Sequence, residues 1–167
     1  NPSAPASGGD QIVCESSPIL TLTATATVPA NHSIKWYDQA VGGAEVTPTW
    51  NTVGSKSYFA EAVSDVSTCV SNTRTEVVLT INPAPISPEL DPDDQNRTQC
   101  EQSPIQTLDA NNSIVNVPVG YTVKWYNQAS GGAVVASPTL NSVGTITYYA
   151  VLVNDITSCE SNTSTPV

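Results

Sequence analysis

The five residues Ser33-Ile34-Lys35-Trp36-Tyr37 decide the fold. They alternate, placing Ile34 and Trp36 on one face and Lys35 and Tyr37 on the other, which is the signature of a strand with one buried side. The core of this stretch returns 89 residues later as Lys124-Trp125-Tyr126. Around it the copying continues. Gln39-Ala40 and Gly42-Gly43-Ala44 recur as Gln128-Ala129 and Gly131-Gly132-Ala133, and Pro48-Thr49, Val53-Gly54 and Ser71-Asn72-Thr73 recur as Pro138-Thr139, Val143-Gly144 and Ser161-Asn162-Thr163. Upstream, Cys14-Glu15 and Ser17-Pro18-Ile19 match Cys100-Glu101 and Ser103-Pro104-Ile105. The offset shifts between Leu22 and Lys35 and again between Ala44 and Pro48, so these segments are loops, which absorb insertions without disturbing strand pairing.

Working outward, residues 20–28 alternate apolar residues with Thr, which predicts one half-buried strand with Leu20, Leu22, Ala24, Ala26 and Val28 inward. Gly42-Gly43 turns the chain into Ala44-Glu45-Val46, and strands are expected over 56–63 and 76–81. About seven strands in about 80 residues, with turn signals between them, predict an all-β chain of two β-sandwiches. Composition agrees. Thr (20), Val (20), Ser (19) and Asn (13) dominate the 167 residues, and no window sustains a helical period.

Domain one is expected over 1–82, a Pro-rich acidic linker over 83–95, and domain two over 96–167. Ile81-Asn82-Pro83-Ala84-Pro85 echoes Asn1-Pro2-Ser3-Ala4-Pro5, and Val167 aligns with Val77. The expectation is therefore a pair cut from a longer array, with the last strand of domain two truncated.

The cysteines fall one pair per repeat, Cys14 with Cys69 and Cys100 with Cys159. Three connectivities exist. Closure within each repeat is expected, because each repeat must be stable in arrays of any length, and each bridge would contribute roughly 3–4 kcal/mol by the chain-entropy model. A Cys₄ zinc site is disfavoured by the lack of any CxxC pair. Disulfides place the chain in an oxidising, extracellular compartment.

Five Lys and Arg against 15 Asp and Glu give a formal net charge of −10, so a phosphate-binding footprint is lacking and nucleic acid is excluded as a partner. No run of 18 apolar residues exists to span a membrane. Catalysis has little to work with. His32 is the one histidine and sits in a length-variable loop, and no nucleophile elbow, phosphate loop or zincin motif is present. Trp36 and Trp125 read as core anchors, Trp50 (Leu140 in the second repeat) as the occupant of an apolar slot, and Tyr37 and Tyr126 as the better candidates for a ligand platform. An isopeptide bond at Lys35 or Lys124 is disfavoured because alternation turns both outward.

The acidic run 89–96 is the one cluster with metal chemistry in it. Calcium takes six to eight oxygens, and Asp91, Asp93 and Asp94, approached by Asp155, are expected to supply them and to fix the angle between the domains. The competing expectation is a plain solvated linker, kept extended by Pro83, Pro85, Pro88 and Pro92.

Cys-Glu-x-Ser-Pro-Ile, Val/Ile-Lys-Trp-Tyr, x-Gly-Gly-Ala, Pro-Thr-x-Asn-x-Val-Gly, Tyr-Phe/Tyr-Ala and Cys-x-Ser-Asn-Thr together resemble the Ig-like repeats of large secreted surface proteins of Bacteroidota bacteria. The resemblance spans both repeats nearly end to end. It implies type IX secretion and a place on the bacterial cell surface in gliding or attachment adhesins. It also implies neighbouring Ig-like repeats as partners, with a surface polysaccharide or another protein beyond them. The alternative it implies is an accessory module, spacer or carbohydrate-binding, of a secreted polysaccharide-degrading enzyme.

Overall fold

The computed structural model describes residues 1–167, which divide into two compact units, Asn1–Pro83 and Ala84–Val167. In the first unit the strands are β1 (Ala6–Ser7), β2 (Gln11–Cys14), β3 (Leu22–Thr23), β4 (Ala26–Thr27), β5 (His32–Tyr37), β6 (Thr49–Trp50), β7 (Gly54–Ser64) and β8 (Thr75–Asn82). A four-stranded sheet runs β2-β8-β7-β5, with β2 parallel to β8 and the other neighbours antiparallel. Two short ladders, β1-β4 and β3-β6, face it. β8 shows why: Val77, Leu79 and Ile81 are almost wholly buried while Glu76, Val78 and Thr80 point away. The inward set packs against Leu22, Ala24 and Tyr58, with Val13, Trp36, Val46 and Trp50 closing the edges. This is a β-sandwich core fed by period-two strands.

The second unit repeats the plan. Its strands are β9 (Glu89–Leu90), β10 (Leu108–Asp109), β11 (Ile114–Val115), β12 (Tyr121–Tyr126), β13 (Thr139–Leu140), β14 (Tyr149–Asn154) and β15 (Thr165–Pro166), with a 3₁₀ turn at Ala110–Ser113. The sheet is β12-β14-β15, and the ladders β10-β13 and β9-β11 correspond to β3-β6 and β1-β4. The core gathers Ala110, Trp125, Tyr148 and Ala150. β15 reaches only Tyr149 and Ala150, and β14 has six residues where β7 has eleven.

Four expectations need correction. Residues 20–28 are not one strand: Leu22–Thr23 and Ala26–Thr27 pair with different partners, so the chain switches ladders between them and leaves Leu20 54% exposed. His32 opens β5 opposite Ser64 and is not a loop residue. The stretch 84–95 is not a linker. Glu89 and Leu90 pair with Val115 and Ile114, Thr165 donates its hydroxyl to the carbonyl of Pro88, and Asp91 N–H bonds Ser113, so the second unit begins at Ala84.

The fourth correction concerns sulfur. Cys14–Cys69 and Cys100–Cys159 do not form: Cys69 and Cys100 are exposed free thiols, whereas Cys14 and Cys159 are disulfide-bonded. Neither expected bridge closes within its repeat. The register supplies the reason. Cys14 stands opposite Asn82, beside the Gly54 end of β7, while the carbonyl of Cys69 accepts from Ser64 N–H at the other end of that strand. Ten residues of strand at about 3.3 Å each separate the two by about 30 Å, against the roughly 4.4–6.8 Å that a disulfide spans between Cα atoms. In the second unit Cys159 bonds Asn154 at the far end of β14, and Cys100 lies beside Val143 and Gly144, ahead of its start. Each sandwich carries its cysteines at opposite ends.

Candidate functional site

In both units the outward face of the Trp-bearing strand carries a charged cluster around its tyrosine. Strand alternation puts Lys35 and Tyr37 there in the first unit, and pairing sets Lys35 opposite Glu61. Glu61 is nearly buried. It accepts from Tyr37 Oη (3.2 Å) and from Arg74 Nε (3.1 Å), and Arg74 also donates to the carbonyls of Gln39 and Gly42 (2.8 and 2.6 Å). The guanidinium carbon lies 3.4 Å from the centroid of the Tyr37 ring. The arginine thus covers the tyrosine face, holds the carboxylate and clamps the Gly-Gly hairpin. Lys35 turns instead to Glu45 (3.1 Å), whose hydrogen bond and charge raise the lysine pKa.

The second unit reaches a similar result with different residues. Val151 stands where Glu61 did, Ser164 where Arg74 did and Val134 where Glu45 did, while Glu160 replaces Val70. That one carboxylate accepts from Lys124 Nζ (2.7 Å) and from Tyr126 Oη (2.9 and 3.0 Å). Lys124 lies 5.2 Å from the Tyr126 ring centroid, and the hydrogen bonds to Glu160 and Tyr126 raise its pKa well above the ordinary lysine value. Ser164 Oγ donates to the carbonyl of Ala129, one residue beyond the counterpart of Gln39, and so ties to the same hairpin by a different carbonyl.

The hairpin has its own constraint. Asp38 Oδ1 and Asn127 Oδ1 each accept from the alanine N–H after the Gly-Gly pair, both at 2.8 Å. A Cβ on Gly43 would sit 2.3 Å from the Asp38 oxygen, and one on Gly132 would sit 2.7 Å from the Asn127 oxygen. Glycine is required there by close approach.

The other singled-out aromatics occupy the interior. Trp125 is 4% exposed and donates its indole N–H to Asn111 Oδ1 (2.7 Å), Trp36 is half-buried against the core, and Trp50 packs there with its N–H on the Gly54 carbonyl. Two further tyrosines, Tyr58 and Tyr148, hold the cores together. Each crosses the core to donate its hydroxyl to a carbonyl of the facing ladder, at Thr49 and Thr139, and burial raises the Tyr58 pKa. The repeated Tyr-Phe/Tyr-Ala motif was the available signal.

Three of the four aspartates make individual contacts of their own. Asp91 Oδ1 accepts from Asp93 N–H, Asp94 pairs with Arg97, and Asp155 accepts from Thr122 Oγ1 (3.0 Å). No three His, Cys, Asp or Glu side chains converge on a metal-sized site. Glu89 and Leu90 run along the second sandwich as a strand, and residues 91–94 form the turn that follows it.

Two sandwiches with this strand order, repeated in sequence and in side-chain plan, define a tandem of immunoglobulin-like domains. The chain belongs to the family described as Ig-like domain, CHU_C associated, whose model matches residues 2–83 and again 85–167. None of the curated proteins matches it. Among solved structures it is similar to the N-terminal four Ig domains of Dscam1 isoform 9.44 (15% identity, 98% of this chain and 50% of that one, TM-score 0.35). Chicken CNTN1 FN1–FN3 domains (12%, 99% and 65%, 0.39) and the titin Ig tandem A164–A165 (12%, 100% and 95%, 0.30) are also similar. The chain spans about half the length of the Dscam1 structures it matches.

Proposed function

We propose that this chain is a structural and adhesive pair of Ig-like repeats, part of the stalk or binding array of a large secreted bacterial surface protein. The observation that carries this reading is the treatment of the two outward tyrosines. Tyr37 is covered by Arg74, and Tyr126 is bound through its hydroxyl to Glu160 with Lys124 over its ring. A sugar-stacking surface needs free aromatic faces, and here the candidate rings are spent on holding hairpins and strands together. The family match supports the array reading, since Ig-like domains of this kind occur twice in succession within this one chain. Attachment to a type IX secretion route, to gliding and to the bacterial surface follows from the resemblance of the repeats and belongs to the same proposal.

The competing proposal is an accessory module of a polysaccharide-degrading enzyme. Affinity electrophoresis through gels cast with soluble plant and algal polysaccharides separates the two. Unchanged mobility is the expected result. Retardation that Tyr37→Ala or Tyr126→Ala abolishes would establish the accessory module instead.

A further inference from the structure

We propose that domain two is a strand acceptor: a cavity between residues 97–100 and 144–147 takes an extended segment, aliphatic at alternate positions, donated by a separate polypeptide. The inference stands on the walls of that cavity and on what fills the same space in domain one. It does not depend on what the array binds. In domain one β8 is held on both sides, with residues 79–82 parallel to β2 and residues 77–81 antiparallel to 54–58. Leu79 and Ile81 point inward between these edges and are buried against Leu22, Ala24 and Tyr58, with Trp50 closing the side.

In domain two the same walls surround open space. The counterparts of β2 are residues 97–100 and those of 54–57 are residues 144–147, and neither stretch joins a ladder. Between them lies a cavity of about 580 Å³. Leu108, Ala110, Leu140 and Tyr148 line it, at the repeat positions of Leu22, Ala24, Trp50 and Tyr58. Ile146 adds an aliphatic wall where domain one has Lys56. The floor is therefore apolar and the two sides are backbone edges. A small apolar ligand would leave those N–H and C=O groups without partners, whereas a strand pairs with both edges at once.

Register fixes how the donor lies. Val167 exchanges both backbone hydrogen bonds with Tyr148 (3.0 and 2.9 Å), just as Val77 stands opposite Tyr58. The antiparallel ladder of domain two thus reaches the mouth of the cavity in the register of domain one. Hydrogen-bonded pairs recur at every second residue, so the next two fall on Ile146 and Gly144. The donor's two inward aliphatic side chains stand opposite these, as Leu79 and Ile81 stand opposite Lys56 and Gly54. Main-chain bonds then supply affinity, and the alternating side chains supply selectivity.

The test uses the 167-residue chain and a fluorescein-labelled peptide carrying Val-Leu-Thr-Ile-Asn, the sequence of residues 78–82, read by fluorescence anisotropy. Anisotropy should rise saturably, with one peptide bound per chain. Leu79→Asp in the peptide should weaken binding at least ten-fold, because it brings a carboxylate into an apolar cavity. Ile146→Pro in the chain, checked for unchanged circular dichroism, should weaken it by a similar factor through loss of a ladder N–H. A chain lengthened after Val167 by the same five residues should no longer bind the peptide, its own extension filling the cavity. Absence of any rise in anisotropy would overturn the proposal. So would equal affinity for the Asp peptide, or undiminished binding by the lengthened chain, since the peptide would then be held elsewhere.

Discussion

Trp125 and Trp36 occupy the same repeat position but do not carry the same load. Trp125 is buried and its indole N–H is satisfied by Asn111, whereas Trp36 is half-buried at the core's edge. Trp125→Ala should cost about 3–5 kcal/mol and Trp36→Ala about half of that, measured by urea denaturation of each variant. Ser113 is the opposite case. Its hydroxyl is wholly buried with no hydrogen-bond partner, so Ser113→Ala should raise the stability of domain two by about 1 kcal/mol, the desolvation penalty of an unpaired hydroxyl. The outward lysine makes a pH prediction. Folding raises the Lys124 pKa above its ordinary 10.5, so its contribution is complete below pH 10.5 and disappears as pH climbs through the folded value. Because both partners are more than a third exposed, that contribution is well under about 1 kcal/mol. The melting-temperature gap between wild type and Lys124→Met should hold steady from pH 7 to 10 and narrow above 10.5. At this scale the sequence was legible where alternation governs: it assigned the faces of Trp125 and Tyr126 correctly. It gave no hint that the carboxylate serving the tyrosine moves from Glu61 in one repeat to Glu160 in the other, because that exchange joins residues far apart in sequence.

Elements were legible in proportion to their length. The expectations for 33–37, 56–63 and 76–81 match β5, β7 and β8 within two residues at each end. Two-residue ladders leave no periodic trace, which is why 20–28 read as a single strand and why Glu89–Leu90 read as linker. An acidic, Pro-rich composition describes a solvated segment equally well whether it hangs free or lies along a sandwich with one side in water. The pairing of Asp94 with Arg97 and of Asp155 with Thr122 has a direct consequence for metal dependence. Adding millimolar calcium and then excess chelator should leave the thermal midpoint of the chain within about 1 °C, whereas a carboxylate cage would lose several degrees with its ion. Differential scanning calorimetry in the two conditions decides it.

The repeat, and with it the presence of two domains, was plain from self-comparison. The sulfur plan was not, because spacing alone cannot say which end of a sandwich a cysteine occupies, and only the β2–β8 register places Cys14 and Cys69 at opposite ends. That same register has a mechanical meaning. β2 and β8 run parallel, Gln11 through Cys14 alongside Leu79 through Asn82, reinforced by Asp10 on Val78 and by Glu15 on Asn82. A pull on the two ends of domain one drags β2 backward and β8 forward, so the load falls along the strands and their hydrogen bonds must break together. Domain two has no parallel pair, and its sheet ends at β15. Under reducing conditions, single-molecule stretching should show one weak and one strong rupture, and Ile12→Pro, at a position whose side chain is 70% exposed, should abolish the strong one. Two ruptures of equal force would mean that the parallel pair bears no tension, and a chain built of domain-one copies would then extend under drag as readily as any soft tether.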